Sequence, residues 1–337
     1  MRQINKKITS IKWLITGGCG FIGRSLIALL RENGVSPGNI RVFDNLTVGT
    51  VNDLQSVIDY EQGKLNWSFD DTSCDLIVGD IRNYPEIMAA AEGADVIIHL
   101  AACTGVQPSV EDPQFDCETN VMGILNCLEA ARQASVKKFV FASSGAPLGE
   151  VEPPIHEKVL PSPISPYGAS KLAGEAYCAV YSSCFELDTV VLRFGNVYGP
   201  LSSKKGSVVA RFIKQALAGE TLEIYGDGSA TRDYVFTRDL TEAIINSVST
   251  NGIGGEIFQI ATSSETTVEE LANKLLSILE ESGIDGVKLI HGSARVGDML
   301  RNYSDTSKAR KILGWEAQTK LDDGLRETVS WFLEQDK

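Results

Sequence analysis

A glycine-rich turn near the start of the chain constrains the fold more than any other stretch. It occupies residues 17–23 (GGCGFIG), directly after the apolar run 11–16 and before a helical run. Gly17, Gly20 and Gly23 permit a tight turn and let a pyrophosphate approach backbone N–H groups at the start of a helix. A plain glycine-rich turn is the alternative. A strand before the glycines and a helix after them favour a dinucleotide site.

The rest of the first 200 residues alternates short apolar runs with longer amphipathic ones. Strands are predicted at 11–16, 40–44, 76–81, 95–100, 138–143 and 188–193, and the intervening helices at 24–33, 84–92, 116–134 and 167–183. This alternation predicts an α/β fold with a Rossmann-type, doubly wound parallel sheet.

After Pro200 the elements become shorter and more varied. Helices are predicted at 207–218, 239–248, 268–281 and 322–334, and strands at 222–225 and 258–261. In a chain of 337 residues this indicates a second, smaller α/β lobe. We expect residues 1–193 plus 233–262 to form the dinucleotide-binding domain, and 194–232 plus 263–337 to form a substrate-binding lobe.

Three predicted strands end in polar residues. Asp44 follows the second strand, where a carboxylate accepts hydrogen bonds from the adenosine ribose and repels a 2′-phosphate, so NAD is preferred over NADP. A helix cap or a turn is the alternative role for Asp44. Asp80 follows the third strand, and Ser143 and Ser144 end the fifth, where hydroxyl groups face a ligand; capping is a fair alternative for Ser143.

Tyr167 and Lys171 stand four residues apart after Pro166, which is favourable at the first turn of a helix. At this spacing both side chains lie on one helical face. A lysine ammonium beside a phenol stabilises the phenolate and lowers the phenol pKa from about 10, which makes tyrosine an acid/base at neutral pH. A solvated helix face is the alternative reading of the pair alone.

Composition and charge exclude several classes of protein. The formal net charge is −13, with no basic stripe for nucleic acid. No apolar run is long enough to cross a membrane, and the polar start of the chain does not read as a signal peptide. The seven cysteines form no C-x-x-C pair and the three histidines are isolated. These features predict a cytoplasmic protein with reduced thiols and no metal site.

With these residues assembled, the chain resembles the nucleotide-sugar epimerase/dehydratase family of the extended short-chain dehydrogenases/reductases. The resemblance covers nearly the whole chain. It rests on motifs in family order: TGGCGFIG at 16–23, DNL at 44–46, GDI at 79–81, HLAA at 99–102, NVMG at 120–123, SPYGASK at 165–171, RFGNVYGP at 193–200, RDY at 232–234 and RVGD at 295–298.

The resemblance implies a role for each motif. Tyr167 would be the acid/base, Lys171 would lower its pKa and bind the nicotinamide ribose, and Ser144 would bind the sugar 4-hydroxyl. NAD would be held by Gly17, Gly20, Phe21, Ile22, Gly23, Asp44, Asn45, Asp80, Ile81, Leu100, Ala101, Ala102, Thr104, Asn120, Ser143, Tyr167 and Lys171. The nucleotide sugar, UDP-linked by resemblance, would be held by Ser144, Tyr167, Asn196, Val208, Tyr225, Arg232, Arg295, Asp298 and Asn302.

Two positions after Ser144 favour one reaction of the family. The 4,6-dehydratases carry an Asp-Glu pair there and the decarboxylases a Glu, whereas this chain has Gly145 and Ala146, which cannot move a proton. The resemblance therefore implies 4-epimerisation of a nucleotide-diphosphate hexose, UDP-glucose/UDP-galactose or the N-acetyl pair, through a 4-keto sugar. Other nucleotide-sugar modifications, a keto-sugar reductase and a catalytically silent NAD-binding protein remain the alternatives.

Two further expectations come from the resemblance. Asn302 stands where some epimerases carry a bulky Tyr beside the sugar C2 group, so an acetamido group is expected to fit. A homodimer is expected through the helices that contain Asn120 and Tyr167, as a four-helix bundle.

Overall fold

The computed structural model describes residues 8–62, 69, 72–293 and 300–335. Within that part of the chain the strands are β1 (Trp13–Thr16), β2 (Ile40–Asp44), β3 (Tyr60–Gln62), β4 (Cys74–Val78), β5 (Val96–His99), β6 (Lys138–Ser144), β7 (Asp188–Phe194), β8 (Asn196–Tyr198), β9 (Leu222–Tyr225), β10 (Thr231–Arg232), β11 (Tyr234–Phe236), β12 (Glu256–Ile260), β13 (Thr266–Thr267) and β14 (Leu289–Gly292).

The helices of the same residues are α1 (Phe21–Glu32), α2 (Val51–Gln55), α3 (Tyr84–Ala91), α4 (Val106–Glu111), α5 (Pro113–Cys117), α6 (Gly123–Gln133), α7 (Pro166–Phe185), α8 (Val208–Leu217), α9 (Thr237–Ser249), α10 (Val268–Glu281), α11 (Ser307–Leu313) and α12 (Leu321–Gln335). A π-helical turn, Glu118–Met122, joins α5 to α6, and short 3₁₀ turns occur at Pro37–Asn39 and Ala146–Leu148.

The main sheet has eight strands in the order β12-β7-β6-β5-β1-β2-β4-β3. From β7 to β3 every neighbouring pair is parallel. The predicted α/β fold with a Rossmann-type parallel sheet is thereby confirmed. Its strands are apolar without alternation, as in β5 (VIIH), where all four residues are buried, because helices cover both faces of such a sheet.

The strand order reverses direction at β1. This strand pairs with β2 on one side and with β5 on the other, so the chain winds outward from β1 both ways. Ligands of doubly wound sheets bind at the carboxyl ends of the strands, at such a switch point. The glycine turn after β1 and the small residues after β5 are therefore at the place where the fold forms a crevice.

The chain divides into two compact units. The first comprises Met1–Glu150, Lys158–Phe194 and Thr241–Phe258. Its core packs strand residues such as Leu14, Phe43 and Phe139 against Ile124 and Leu128 of α6. The apolar face of α6 is thus buried against the sheet, as expected for an amphipathic helix.

The second unit comprises Val151–Glu157, Gly195–Leu240 and Gln259–Lys337. Its core is formed by apolar residues of α8, α10 and α12, among them Phe212, Leu275 and Val329, together with Phe236 of β11. Small two-stranded sheets, β11-β8, β14-β9 and β10-β13, surround this core. The assignment of NAD to one domain and of the nucleotide sugar to the other stays a prediction.

Candidate active site

The glycine turn has the geometry of an anion-binding loop. Gly20 is the N-cap of α1, and the first turn of this twelve-residue helix contains no acidic residue and no side-chain cap. Gly17 has φ of +72°, and a Cβ there would lie 2.7 Å from the backbone N of Ala101. A Cβ at Gly23 would lie 2.6 Å from the Gly17 carbonyl oxygen. Backbone N–H groups at an open helix N-terminus suit a pyrophosphate, so these residues fit a dinucleotide.

Asp44 lies at the carboxyl end of β2, beside that turn. Its Oδ2 accepts a hydrogen bond from the backbone N of Cys19 at 2.9 Å, and its Oδ1 accepts one from the backbone N of Leu46 at 2.8 Å. Burial raises the pKa of this carboxyl group, and the two N–H donors oppose that rise. The side chain is therefore held in place at the end of β2, where the ribose of a dinucleotide is expected.

Asp80 follows β4 and is held by Arg82. The guanidinium donates to Oδ1 at 3.0 Å and to Oδ2 at 2.8 Å, and these bonds lower the pKa of Asp80 to about 2. Asn45 Nδ2 lies 3.4 Å from Asp80 Oδ2. Ile81 is buried, and a Cβ at Gly123 would lie 2.6 Å from its Cδ1. The structure thus brings the predicted adenosine-side residues Asn45 and Asp80 together.

The residues after β5 differ in exposure. Leu100 donates its backbone N–H to the Thr16 carbonyl at 3.1 Å, and Ala101 lies against Gly17, as small residues at a close approach should. Ala102 is half-buried and Thr104 is exposed.

Tyr167 belongs to the first turn of α7. Ser165 is the N-cap, its hydroxyl accepting from the Gly168 backbone N, and Pro166 occupies the first helical position, as predicted. The Tyr167 backbone N donates to the Ser109 hydroxyl at 3.1 Å. Ser144, at the end of β6, lies close enough to the phenol group for its hydroxyl to act on the pKa of Tyr167 in the lowering direction.

Lys171 lies one turn further along α7 on the same side as Tyr167. Its Nζ is 5.9 Å from the centroid of the Tyr167 ring and 4.8 Å from that of Phe141. The ammonium donates to the Ala142 carbonyl at 2.9 Å. Burial lowers the pKa of Lys171 to about 8. The sequence-predicted trio of Ser144, Tyr167 and Lys171 is therefore assembled on β6 and α7.

One sequence-based expectation is corrected here. The pKa of Tyr167 was expected to fall below its usual value because of Lys171, but in this structure burial raises it. The hydrogen bond from Ser144 works in the lowering direction, and the Asp116 carboxylate adds to the rise. Loss of solvation of a phenolate is the largest cause of the rise, and the neighbouring Lys171 ammonium donates to the Ala142 carbonyl.

Ser143 and Ser144 have different surroundings, because adjacent strand residues point to opposite faces. The Ser143 hydroxyl is buried and donates to Glu175 Oε1 at 2.6 Å. Arg193 pairs with the same carboxylate through Nε at 2.8 Å and Nη2 at 2.6 Å. The hydroxyl of Ser143 thus donates its proton to Glu175, and its predicted contact with the cofactor stays a prediction. The Glu175–Arg193 pair was missed from the sequence, although Glu175 stands four residues after Lys171.

Asn120 lies in the π-helical turn and is fully engaged with protein groups. Its Oδ1 accepts from the Cys103 backbone N at 2.8 Å. Its Nδ2 lies 2.9 Å from the Cys103 carbonyl, 2.9 Å from Asp116 Oδ1 and 3.2 Å from Ser170 Oγ. Asn120 thus connects the loop after β5 to α7, and its predicted contact with NAD stays a prediction.

The residues predicted to bind the nucleotide sugar in the second unit can be located in part. Asn196 begins β8 and is exposed, and Val208 begins α8. The Tyr225 ring lies under the guanidinium of Arg211, 4.9 Å from centroid to Cζ. Arg232 and Asn302 are half-buried, and both contact Thr231. Arg232 Nη1 donates to the Thr231 carbonyl, and the Asn302 backbone N donates to the Thr231 hydroxyl. Arg295 and Asp298 lie outside the described residues.

The described residues contain neither a metal-binding cluster nor a membrane-spanning helix. No group of three or more His, Cys, Asp or Glu side chains in that part of the chain is arranged to hold a metal ion. None of its helices combines the length and the apolar character needed to span a bilayer.

Comparison with known proteins identifies the family. The model of the NAD dependent epimerase/dehydratase family matches residues 13–261. A UDP-glucose 4-epimerase of Mycolicibacterium smegmatis is 36% identical over 326 residues, which cover 96% of this chain and 98% of the relative. The structure of a Thermotoga maritima UDP-glucose 4-epimerase with UDP-glucose has a TM-score of 0.84 at 34% identity, covering 96% of this chain and 99% of that one. A Thermus thermophilus UDP-glucose 4-epimerase complex with NAD has a TM-score of 0.81 at 33% identity, covering 95% and 98%. The chain therefore belongs to the NAD-dependent epimerase/dehydratase family.

Proposed function

We propose that the protein is a nucleotide-sugar 4-epimerase that inverts C4 of a UDP-hexose through a 4-keto sugar. The observation that carries the proposal is that the Lys171 ammonium lies 5.9 Å from the centroid of the Tyr167 ring on the same side of α7, with Ser144 at the end of β6 acting on the pKa of that phenol. This arrangement provides one acid/base next to a hydroxyl that binds a sugar alcohol.

NAD is the cofactor, and the glycine turn, Asp44 and Lys171 are the residues that would hold it. When bound, NAD would supply reversible hydride chemistry at C4 of the sugar, which would consume no external reductant. We propose that the ammonium of Lys171 binds a ribose hydroxyl of the cofactor and stabilises the Tyr167 phenolate against the burial that raises its pKa.

The work of this chain's own residues is proton transfer and binding. Tyr167 takes the proton of the 4-hydroxyl group, directly or through Ser144, and gives it back after the sugar has turned over. We propose that Asn196, Val208, Tyr225, Arg232, Arg295, Asp298 and Asn302 hold the nucleotide sugar during that rotation. Arginine suits the diphosphate because its planar guanidinium donates two parallel hydrogen bonds.

The two residues after Ser144 disfavour the elimination and decarboxylation reactions of the family. Gly145 and Ala146 lead into a 3₁₀ turn and carry no acid or base. A Cβ at Gly168 would lie 2.5 Å from the Ala146 carbonyl oxygen, so this turn packs closely on the start of α7. Proton transfer at C5 or C6 therefore has no side chain to perform it from these two positions.

The test is a panel of UDP-sugars incubated with the purified protein without added cofactor and followed by NMR. We expect a 4-epimer to appear for a hexose or its N-acetyl form, with NAD copurifying with the protein. Tyr167→Phe should remove most turnover and retain NAD. A Tyr167→Phe variant as active as the wild type would contradict the assignment of the acid/base, and consumption of added NADH with a keto-sugar would indicate a reductase.

We further propose a cytoplasmic homodimer. All seven cysteines are free, which suits a reducing compartment. Apolar side chains are exposed on adjoining helices of the first unit: Val110 (57%), Phe115 (41%), Met122 (49%), Val180 (47%) and Phe185 (48%). Such a patch is typical of an interaction surface, and it matches the helices expected to form the four-helix bundle. Sedimentation equilibrium should give twice the mass of one chain, and Val180→Lys should favour the monomer.

A further inference from the structure

Asp116, in the first unit, is a buried carboxylate to which the proposed mechanism gives no part. Its side chain is 3% exposed. Oδ1 accepts from Asn120 Nδ2 at 2.9 Å, whereas Oδ2 is buried and has no hydrogen-bond partner among the described residues. Burying a carboxylate oxygen without a hydrogen-bond partner costs free energy. We therefore expect an electrostatic interaction with a nearby positive charge to offset the cost of burying Asp116.

Hydrogen bonds connect Asp116 to the catalytic helix. Asn120 Nδ2, which Asp116 accepts from, also lies 3.2 Å from Ser170 Oγ. Ser170 donates in turn to the Tyr167 carbonyl at 3.1 Å. Because α5 packs against α7, and Asn120 joins the carboxylate to Ser170, Asp116 is tied to the segment of α7 that carries Tyr167 and Lys171.

Other groups near Lys171 do not provide a free negative charge. Glu175 is paired with Arg193 at 2.6 Å. The thiols of Cys103 and Cys178 both have a pKa raised by burial, so they stay neutral at physiological pH.

His99, at the end of β5, is also neutral near pH 7, because burial lowers its pKa to about 3. Asp116 forms no ion pair with any residue of the described chain.

We propose that the Asp116 carboxylate is the counter-charge of the Lys171 ammonium, a positioning residue that acts from α5 without touching substrate or cofactor. Its effect on Lys171 follows from Coulomb attraction in a site of low dielectric. The inference rests on the proposed function only in taking Tyr167 as the acid/base.

The electrostatics of the site agree with this role. Burial lowers the pKa of Lys171, and Asp116 is the largest of the charges that oppose the fall. The same carboxylate raises the pKa of Tyr167. Loss of its charge is therefore expected to lower the pKa of both groups, so that Tyr167 ionises more readily while Lys171 loses its proton at a lower pH.

Asp116→Asn separates charge from hydrogen bonding. The amide retains an oxygen that accepts from Asn120 and removes the negative charge, while it replaces the second carboxylate oxygen with an N–H donor. Ultraviolet difference titration of the NAD-bound enzyme, with and without Tyr167→Phe in each background, isolates the ionisation of Tyr167. We expect the Tyr167 midpoint to fall by roughly 0.5 pH unit or more in Asp116→Asn. Both limbs of the pH profile of kcat/KM should move in the same direction.

Glu118→Gln is the matched control. This residue is two positions away on the same segment, its side chain is 64% exposed, and it carries the same charge. An unchanged midpoint is expected there. The proposal is overturned if Asp116→Asn titrates like the wild type, because a residue needed only for packing would behave in that way.

Asp116→Asn buries new amide donors and could fold poorly for that reason alone, so a second variant is needed. Asp116→Ala introduces no donor and should give the same downward shift; its absence would also overturn the proposal. Since the titration requires no turnover, its result is independent of the UDP-sugar panel. A protein inactive on every nucleotide sugar would refute the proposed function alone.

Discussion

The buried pair of Glu175 and Arg193 gives the sharpest prediction about stability. Each side chain is 2% exposed, and the guanidinium donates twice to the carboxylate. Glu175→Gln leaves the Arg193 charge buried without its counter-charge and replaces one of the two acceptor oxygens that Ser143 and Arg193 share with an amide donor. Breaking one partner of such a pair costs about 3–5 kcal/mol. For a unit of this size we expect the midpoint of thermal unfolding to fall by roughly 6–20 °C.

The size of this loss depends on the unpaired charge rather than on the missing contact. Arg193 Nη1 already has no hydrogen-bond partner among the described residues. Removing both charges with Glu175→Leu and Arg193→Met should therefore restore much of the stability, since apolar side chains of similar volume often replace a buried pair at little cost. A double-mutant cycle by thermal unfolding measures the difference.

Glu281→Gln is the control, because Glu281 forms a similar pair with Arg326 in which both side chains are 52% exposed. We expect a far smaller change in the unfolding midpoint there, since solvent screens exposed pairs. The reasoning is refuted if Glu175→Gln and Glu281→Gln shift the midpoint equally, or if the double variant loses as much as the sum of its single variants.

Three further changes test the site. Gly17→Ala should abolish NAD retention, measured by absorbance of the purified protein, because a Cβ would lie 2.7 Å from the backbone at φ of +72°. Gly252→Ala has the same φ of +72° but nothing within 4 Å, so equal NAD loss in both would count against a steric cause. Asn302→Tyr should slow epimerisation of the N-acetyl pair more than that of the plain hexoses, and equal rates would remove the argument from pocket size. The value of kcat/KM should fall above about pH 8, where Lys171 loses its proton, and a flat profile to pH 10 would contradict this. Because the unfolded chain binds more protons than the folded one between about pH 8 and 10.5, the contribution of Lys171 to stability rises with pH over that interval.

The main sheet was predictable because its strands are set by local pattern. The bounds of β2 and β9 were predicted to the residue, and those of β1, β5 and β7 within two residues. The short strands β8, β10, β11, β13 and β14 were not predicted, and neither was β3, the edge strand of the main sheet. Each has two to four residues and exists only because a distant segment pairs with it, and this pairing leaves no periodic signal in the sequence. Helix α4, of six residues, was missed for the same want of periodicity.

The side chains of the candidate site were identified from motifs, but their electrostatics were not. The spacing of Tyr167 and Lys171 correctly predicts that they share a helical face. The direction of the Tyr167 pKa depends on burial and on Asp116, which comes from another helix. The different surroundings of Ser143 and Ser144 follow from strand geometry, yet the partner of Ser143 lies 32 residues away. Such relations require the packed fold.

The π-helical turn at Glu118–Met122 sets the phase of the helix on which Asp116 lies. A turn of this kind accommodates one more residue than an α-helical turn. Deleting Thr119 would let the segment relax to ordinary helix and rotate everything before it by about 100°. Asp116 would then swing away from Lys171, although every side chain named in the mechanism would still be present. The length of this turn, and not only its composition, therefore determines which way Asp116 points.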